Sequence, residues 1–237
     1  MNNPVLVQHK SLKEEIFDFL HGQTITGKFL PGDWLRQDEI ANQLGVSMTP
    51  VREALDLLVA SGLAERIPYR GVRVMELTNQ EITEACSLRM VLEGLAAHEA
   101  ASVITIPQIQ HLEEIIDQMR LHVNLSDMSH ARQLSREFHQ TIVDASGNQL
   151  LSMIYQIVSN RFPDWMLYEA LFRHPELLEN SLAREHTEHS TLVKALKDGN
   201  PELACQSARD HIISLGRDIE ELLGIPVHLI KAKEYPA

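Results

Sequence analysis

Residues 35–74 read LRQDEIANQLGVSMTPVREALDLLVASGLAERIPYRGVRV, and the fold follows from how this stretch divides. Ile40, Ala41 and Leu44 give a short helical apolar face. Gly45 ends that helix, because a residue without a Cβ enters the left-handed region at little cost. Ser47 stands where an N-cap is wanted, and Pro50 falls in the first turn, where its missing N–H matters least. Val51, Ala54, Leu55 and Leu58 then form the buried stripe of a second helix, closed by Gly62. Helix, tight turn, helix is the unit that lays its second helix in a DNA major groove. Beyond it, 63–67 and 72–74 pair as two short strands around the turn Pro68-Tyr69-Arg70-Gly71, a β-wing with Arg70 at its tip.

Working outward, residues 10–26 read as a helix, with Ser11 and Glu14 in capping-box spacing. The stretch 27–35 reads as a turn-rich connector. From Thr78, itself three residues before Glu81, the pattern is helical almost to Gly224. Helices are expected over 79–101, from Pro107 to about Val123, from Ser129 to Gly147, over 149–171 with a break at Pro163, from Pro175 to Gly199, and from Asn200 to Gly224. The expected fold is therefore mainly α: a winged helix-turn-helix over 8–77, an all-α bundle of about six helices over 78–225, and a loose tail over 226–237.

Composition narrows the class. With 237 residues and 44% hydrophobic content, the chain can bury two cores. No apolar run nears the roughly 20 residues needed to span a bilayer. The start of the chain lacks a secretory pattern, and Cys86 and Cys205 lie far apart within helical patterns, so buried thiols in a reducing cytoplasm are expected. The formal net charge of −12 argues against a general polyanion binder. It is unevenly spread: residues 1–77 hold 8 Lys and Arg against 10 Asp and Glu, and residues 78–237 hold 13 against 23. The near-neutral head carries Arg52, Arg66, Arg70 and Arg73, a modest basic footprint.

Ten of the twelve histidines follow residue 78. His111, His122, His130 and His174 fall at polar or terminal positions and read as surface. His139, His189 and His211 each share a helical face with apolar neighbours and point inward. Inward imidazoles on three helices are either hydrogen-bonded core residues or convergent ligands for an ion such as Zn²⁺ or Ni²⁺. Arg89 lies among Ala85, Leu88 and Leu92. It is either paired with Glu93, four residues on, or aimed into a cavity to grip a carboxylate.

Two sets of residues carry a resemblance. Gly45-Val46-Ser47, the run from Thr49 to Leu55, Gly62-Leu63 and Arg70-Gly71 resemble the winged-helix signature of the GntR family of bacterial transcription regulators. The runs 89–93, 138–139, 147–150, 188–189 and 208–212 resemble the helical effector domain (FCD) of its FadR subgroup. The resemblance covers roughly residues 10–224. It implies a cytoplasmic, ligand-responsive regulator that is not an enzyme, binding double-stranded operator DNA, most commonly as a repressor.

DNA contacts are then expected from Ser47, Met48, Thr49, Arg52, Arg70 and Gly71. Met48 stands where the family usually has Arg, and Gln37-Asp38 where it has Glu-Arg. The subgroup commonly holds a divalent metal through one Asp and three His. The His match His139, His189 and His211, whereas Ser135 occupies the place of the Asp, with His186 a substitute ligand. Effector contacts fall to Arg89, Ser135 and Arg161, for a small organic acid. One winged helix makes too few contacts for tight specific binding, so a homodimer on a pseudo-palindrome is expected. Two rival readings are a metal-dependent hydrolase using the His cluster with Glu137 or Glu185 as base, and a winged helix that binds protein instead of DNA.

Overall fold

A computed structural model describes residues 10–120, 128–160, 162, 166–167, 170–171 and 174–226. Expectations that fall on His122, Arg161, Pro163 and the tail beyond residue 226 lie outside the described residues. The chain divides into two compact units, Met1–Glu76 and Leu77–Ala237.

In the first unit, α1 (Leu12–Ile25) precedes β1 (Trp34–Leu35), α2 (Gln37–Leu44), α3 (Met48–Ala60), β2 (Ala64–Ile67) and β3 (Gly71–Val74). The Glu14 carboxylate accepts the Ser11 N–H at 2.7 Å, the reciprocal half of a capping box. Gly45 takes φ 66°, and the Val46 N–H returns to the Ala41 carbonyl, so α2 ends by a left-handed turn. The α3 stripe is buried at Val51, Ala54, Leu55 and Leu58. Ser47 occupies the N-cap position of α3, yet its hydroxyl makes no cap hydrogen bond. The α2 and α3 starts are tied instead by Gln37, whose Nε2 donates to the Met48 carbonyl at 2.8 Å.

The sheet has three strands in the order β1-β3-β2, all antiparallel, with Trp34 opposite Arg73 and Glu65 opposite Arg73 on the other side. The stretch 27–35 is thus not connector alone. Two residues are too few to show alternation, so β1 is invisible to sequence periodicity, and it forms because β3 offers it a free edge.

In the second unit, six delimited helices stand among the described residues: α4 (Asn79–Ala100), α5 (Ile106–Met119), α6 (Met128–Ala145), α7 (Gln149–Ser159), α8 (Pro175–Lys197) and α9 (Pro201–Leu223). Their starts follow local chemistry. The Thr78 hydroxyl accepts the Glu81 N–H at 3.2 Å, and Asn148 and Asn200 accept from Leu151 and Leu203. Gly147 and Gly224 sit at positive φ, where the chain turns out of α6 and α9. A core of Ala97, Leu112, Phe138, Leu192, Leu196 and Ala208 joins α4, α5, α6, α8 and α9. α4 and α9 approach closely because Gly94 offers no side chain; a Cβ there would lie 3.0 Å from Arg209 Nε and 3.4 Å from Cys205 Sγ. Cys86 is buried, whereas Cys205 is only half-buried; both are free thiols. Burial pushes the Cys86 thiol up to about 12.

Candidate nucleic-acid interface and metal centre

On the first unit, Ser47, Met48, Thr49 and Arg52 stand exposed along the start of α3, and Arg70 and Gly71 at the wing. Met48 is 56% exposed, a large apolar side chain offered to solvent at the tip of the helix. The footprint differs from the expected arginine set. Arg66 is bound to Asp56, and Arg73 Nε meets Glu65 at 2.7 Å. Arg52 and Arg70 carry no ion pair among the described residues, and Arg36 joins them. These three line one pocket with Trp34. Arg36 escapes notice in the sequence because nothing about its spacing marks it; only the fold carries it to the same place as Arg52 and Arg70.

On the second unit, His139 (α6), His189 (α8) and His211 (α9) converge. Each offers one ligand atom, and these lie within 4.8 Å of one another. All three are buried. Two are oriented by carboxylates. His139 Nδ1 donates to Glu93 at 3.0 Å, and His211 Nδ1 meets Glu188 at 2.8 Å. A carboxylate accepts, so each Nδ1 is the donor and each Nε2 is left as the ring atom available to a ligand. This is the outer-shell arrangement that fixes histidine tautomers around metals. His189 differs: neither ring nitrogen has a hydrogen-bond partner. Its ring stacks on Phe138, centroids 4.1 Å apart. Burial, with His211 and His139 adding, holds the His189 imidazole well below its ordinary value, so it stays neutral. A buried, neutral, unpartnered nitrogen is costly unless something accepts its lone pair. The donor set therefore fits a borderline cation of the Zn²⁺ or Ni²⁺ kind.

Glu93 is the hub behind this set. Arg89 Nε binds it at 2.7 Å, and the Tyr155 hydroxyl donates to it at 3.1 Å. Burial alone would raise the Glu93 carboxyl, but the Arg89 guanidinium, then His139, hold it far below the usual carboxylate range. Arg89 itself is 6% exposed, with its guanidinium 4.3 Å over the Phe162 ring. It is paired with Glu93 and also lines a cavity beside the triad. That cavity, about 60 Å³, is walled by Arg89, Ser135, Arg136, His139, Arg184 and His211, among others. It has room for a few water-sized groups. Ser135 donates weakly to Glu185 at 3.4 Å, and burial raises the Glu185 carboxyl. Glu137, on the same helix, is half-buried and bound to His111 at 3.0 Å.

A three-stranded winged helix-turn-helix followed by an all-helical unit with a buried histidine centre defines a two-part transcription regulator. Residues 12–74 match the gntR family of bacterial regulatory proteins and residues 81–214 match the FCD domain; the chain belongs to the GntR family, in its FCD-containing group. It is 30% identical to a probable D-xylose utilization operon transcriptional repressor of Paenarthrobacter nicotinovorans, over 85% of this chain and 86% of that one. It is 25% identical to the gluconate operon transcriptional repressor of Bacillus subtilis, over 91% and 88%. Among solved structures, E. coli McbR/YncC has the same fold, with a TM-score of 0.62 and 24% identity, covering 91% of this chain and 99% of that one. These likenesses lend no support to the hydrolase or to the protein-binding reading. No helix among the described residues is long and apolar enough to cross a membrane.

Proposed function

We propose that the chain is a repressor that binds a pseudo-palindromic operator as a homodimer and loosens its grip when a small organic acid enters the histidine-lined cavity. The observation that carries the effector half is the unpartnered His189 within a buried triad. His139, His189 and His211 would hold a divalent cation, which supplies a positive anchor for the acid's carboxylate. Ser135 brings no charge to that site, whose protein donors would be imidazole nitrogens. The cation would then keep its full charge for the effector. Arg89 is committed to Glu93 and acts by fixing that carboxylate, and through it His139; Arg136 is a cation lining the same cavity. On the first unit, Arg52, Ser47 and Thr49 would contact the operator backbone or a guanine edge, Met48 a thymine methyl, and the wing would lie along the minor groove, with Gly71 permitting the close approach and Arg70 reaching a phosphate at its edge.

The test joins metal analysis to DNA binding. Purified protein loaded with Zn²⁺ or Ni²⁺ and desalted is expected to retain about one equivalent per chain, the number of triads. His189→Ala should retain none while still shifting a duplex taken from upstream of its own coding region in a gel. Arg52→Ala should abolish that shift with metal retained. A wild-type protein that ignores every such duplex at low salt would end the operator half. Stoichiometric metal on His189→Ala would end the metal half.

A further inference from the structure

Arg36 stands at the N-cap position of α2. That is a poor place for it by local rules. An arginine cannot accept from the first-turn N–H groups, and its charge faces the positive end of the helix dipole. Its guanidinium lies 5.4 Å from the centroid of the Trp34 ring, and that of Arg70, from the wing, lies 6.0 Å from the same ring. Arg52, from α3, lines the same pocket. Three elements thus deliver three cations to one recess of about 160 Å³, and none of the three has an ion pair among the described residues. The fourth arginine of the recess, Arg66, is already bound to Asp56. Asp38 also lines the recess but makes no ion pair. The Trp34 π face offsets part of the repulsion between Arg36 and Arg70 without neutralising either. Like charges gathered and left unneutralised are complementary to an anion, and guanidinium forks match the oxygens of a phosphate.

Resting on the operator-binding reading above, we infer that Trp34, Arg36, Arg52 and Arg70 form a clamp for one phosphodiester of the operator backbone. Arg36 is a phosphate contact supplied from outside the recognition helix, and Trp34 is the positioning residue that holds Arg36 and Arg70 side by side. A phosphate contact carries no sequence information of its own. It therefore adds affinity to a reading helix whose exposed Met48 cannot donate to the backbone or to a base edge.

The experiment measures binding of the full-length protein to two duplexes, one from upstream of its own coding region and one of the same length with shuffled sequence, across a salt series. For Arg36→Ala, the slope of log affinity against log salt should fall by about 1 for each protomer bound. Affinity for both duplexes should drop by the same factor. Arg36→Lys should keep the slope and recover part of the affinity, and Trp34→Leu should weaken both duplexes alike. Inorganic phosphate should compete with DNA for the wild type more effectively than for Arg36→Ala. An unchanged slope would overturn the clamp, and a loss confined to the native duplex would make Arg36 a base contact instead. Phosphate that binds the wild type without displacing DNA would assign the recess to a free anion. A wild type that binds neither duplex removes the operator reading itself, a failure visible before any variant is compared.

Discussion

Glu93 shows how much of the histidine centre rests on one carboxylate that does not itself line the cavity. Arg89, Tyr155 and His139 all converge on it, fully out of solvent. Removing one partner of a buried ion pair leaves the other charge uncompensated, at about 3–5 kcal/mol. Glu93→Gln is therefore expected to lower the chain's stability by that order in denaturant unfolding, and to loosen His139 with it. The pH dependence follows in sign. The folded chain holds Glu93 ionised far below its ordinary value, so its contribution is complete above about pH 4.3 and is lost as pH falls further, while the unfolded chain takes up the proton first. The variant should show a shallower loss of stability in acid than the wild type. At this scale the sequence was legible for the three histidines, because helical spacing alone turned them inward. It offered Glu93 only as one alternative for Arg89, because an i,i+4 relation looks the same whether the pair is buried or exposed, and it gave no sign that Glu93 also holds His139. Glu188 was equally hidden, since only the packing of α8 on α9 brings it to His211.

Elements repeat the lesson with a different weight. Gly45, Pro50, Gly62 and Asn200 punctuate the helices where their chemistry requires, so α2, α3 and α9 could be bounded from the sequence, whereas α7, expected over 149–171, ends at Ser159. The two-residue strand β1 could not. α7 presents a further feature. Leu150, Met153, Ile154 and Ile157 recur at helical spacing and are all exposed, from 41% to 68%. The helix QLLSMIYQIVS carries no charged residue. An uncharged apolar stripe facing water is the composition of a protein interface core. A second copy of the same stripe is its natural complement, because a two-fold contact sets one surface against itself. Met153→Glu with Ile157→Glu is expected to convert dimer to monomer in sedimentation equilibrium. Operator affinity should fall steeply as the two half-sites cease to be read together. A double variant that remains dimeric would move the interface elsewhere.

For the molecule as a whole, charge and function are divided along the same line. The first unit is nearly neutral and gathers its free arginines on one side of the wing, whereas most of the −12 belongs to the helical unit. If the effector alters operator affinity by some factor, linkage requires the operator to alter effector affinity by the same factor. Calorimetric titration of the effector with and without operator should show effector affinity lowered by that same factor when operator is present, and equal affinities in both titrations would separate the two sites thermodynamically. The histidine centre has its own dependence on distant packing. Glu93 steadies His139 from α4 while α9 contributes His211, and Gly94, the next residue along α4, lets those helices close to contact. Gly94→Ala would crowd the Arg209 side chain, whose Nε lies 3.0 Å from the added Cβ, and is expected to ease α9, with His211, away from α4. Metal affinity should fall in that variant although helix content is unchanged or higher. On the proposed metal reading, the bore of the chamber would be gauged by a methyl group that the chain omits, and selectivity among ions of different radius would drift through residues that never meet them.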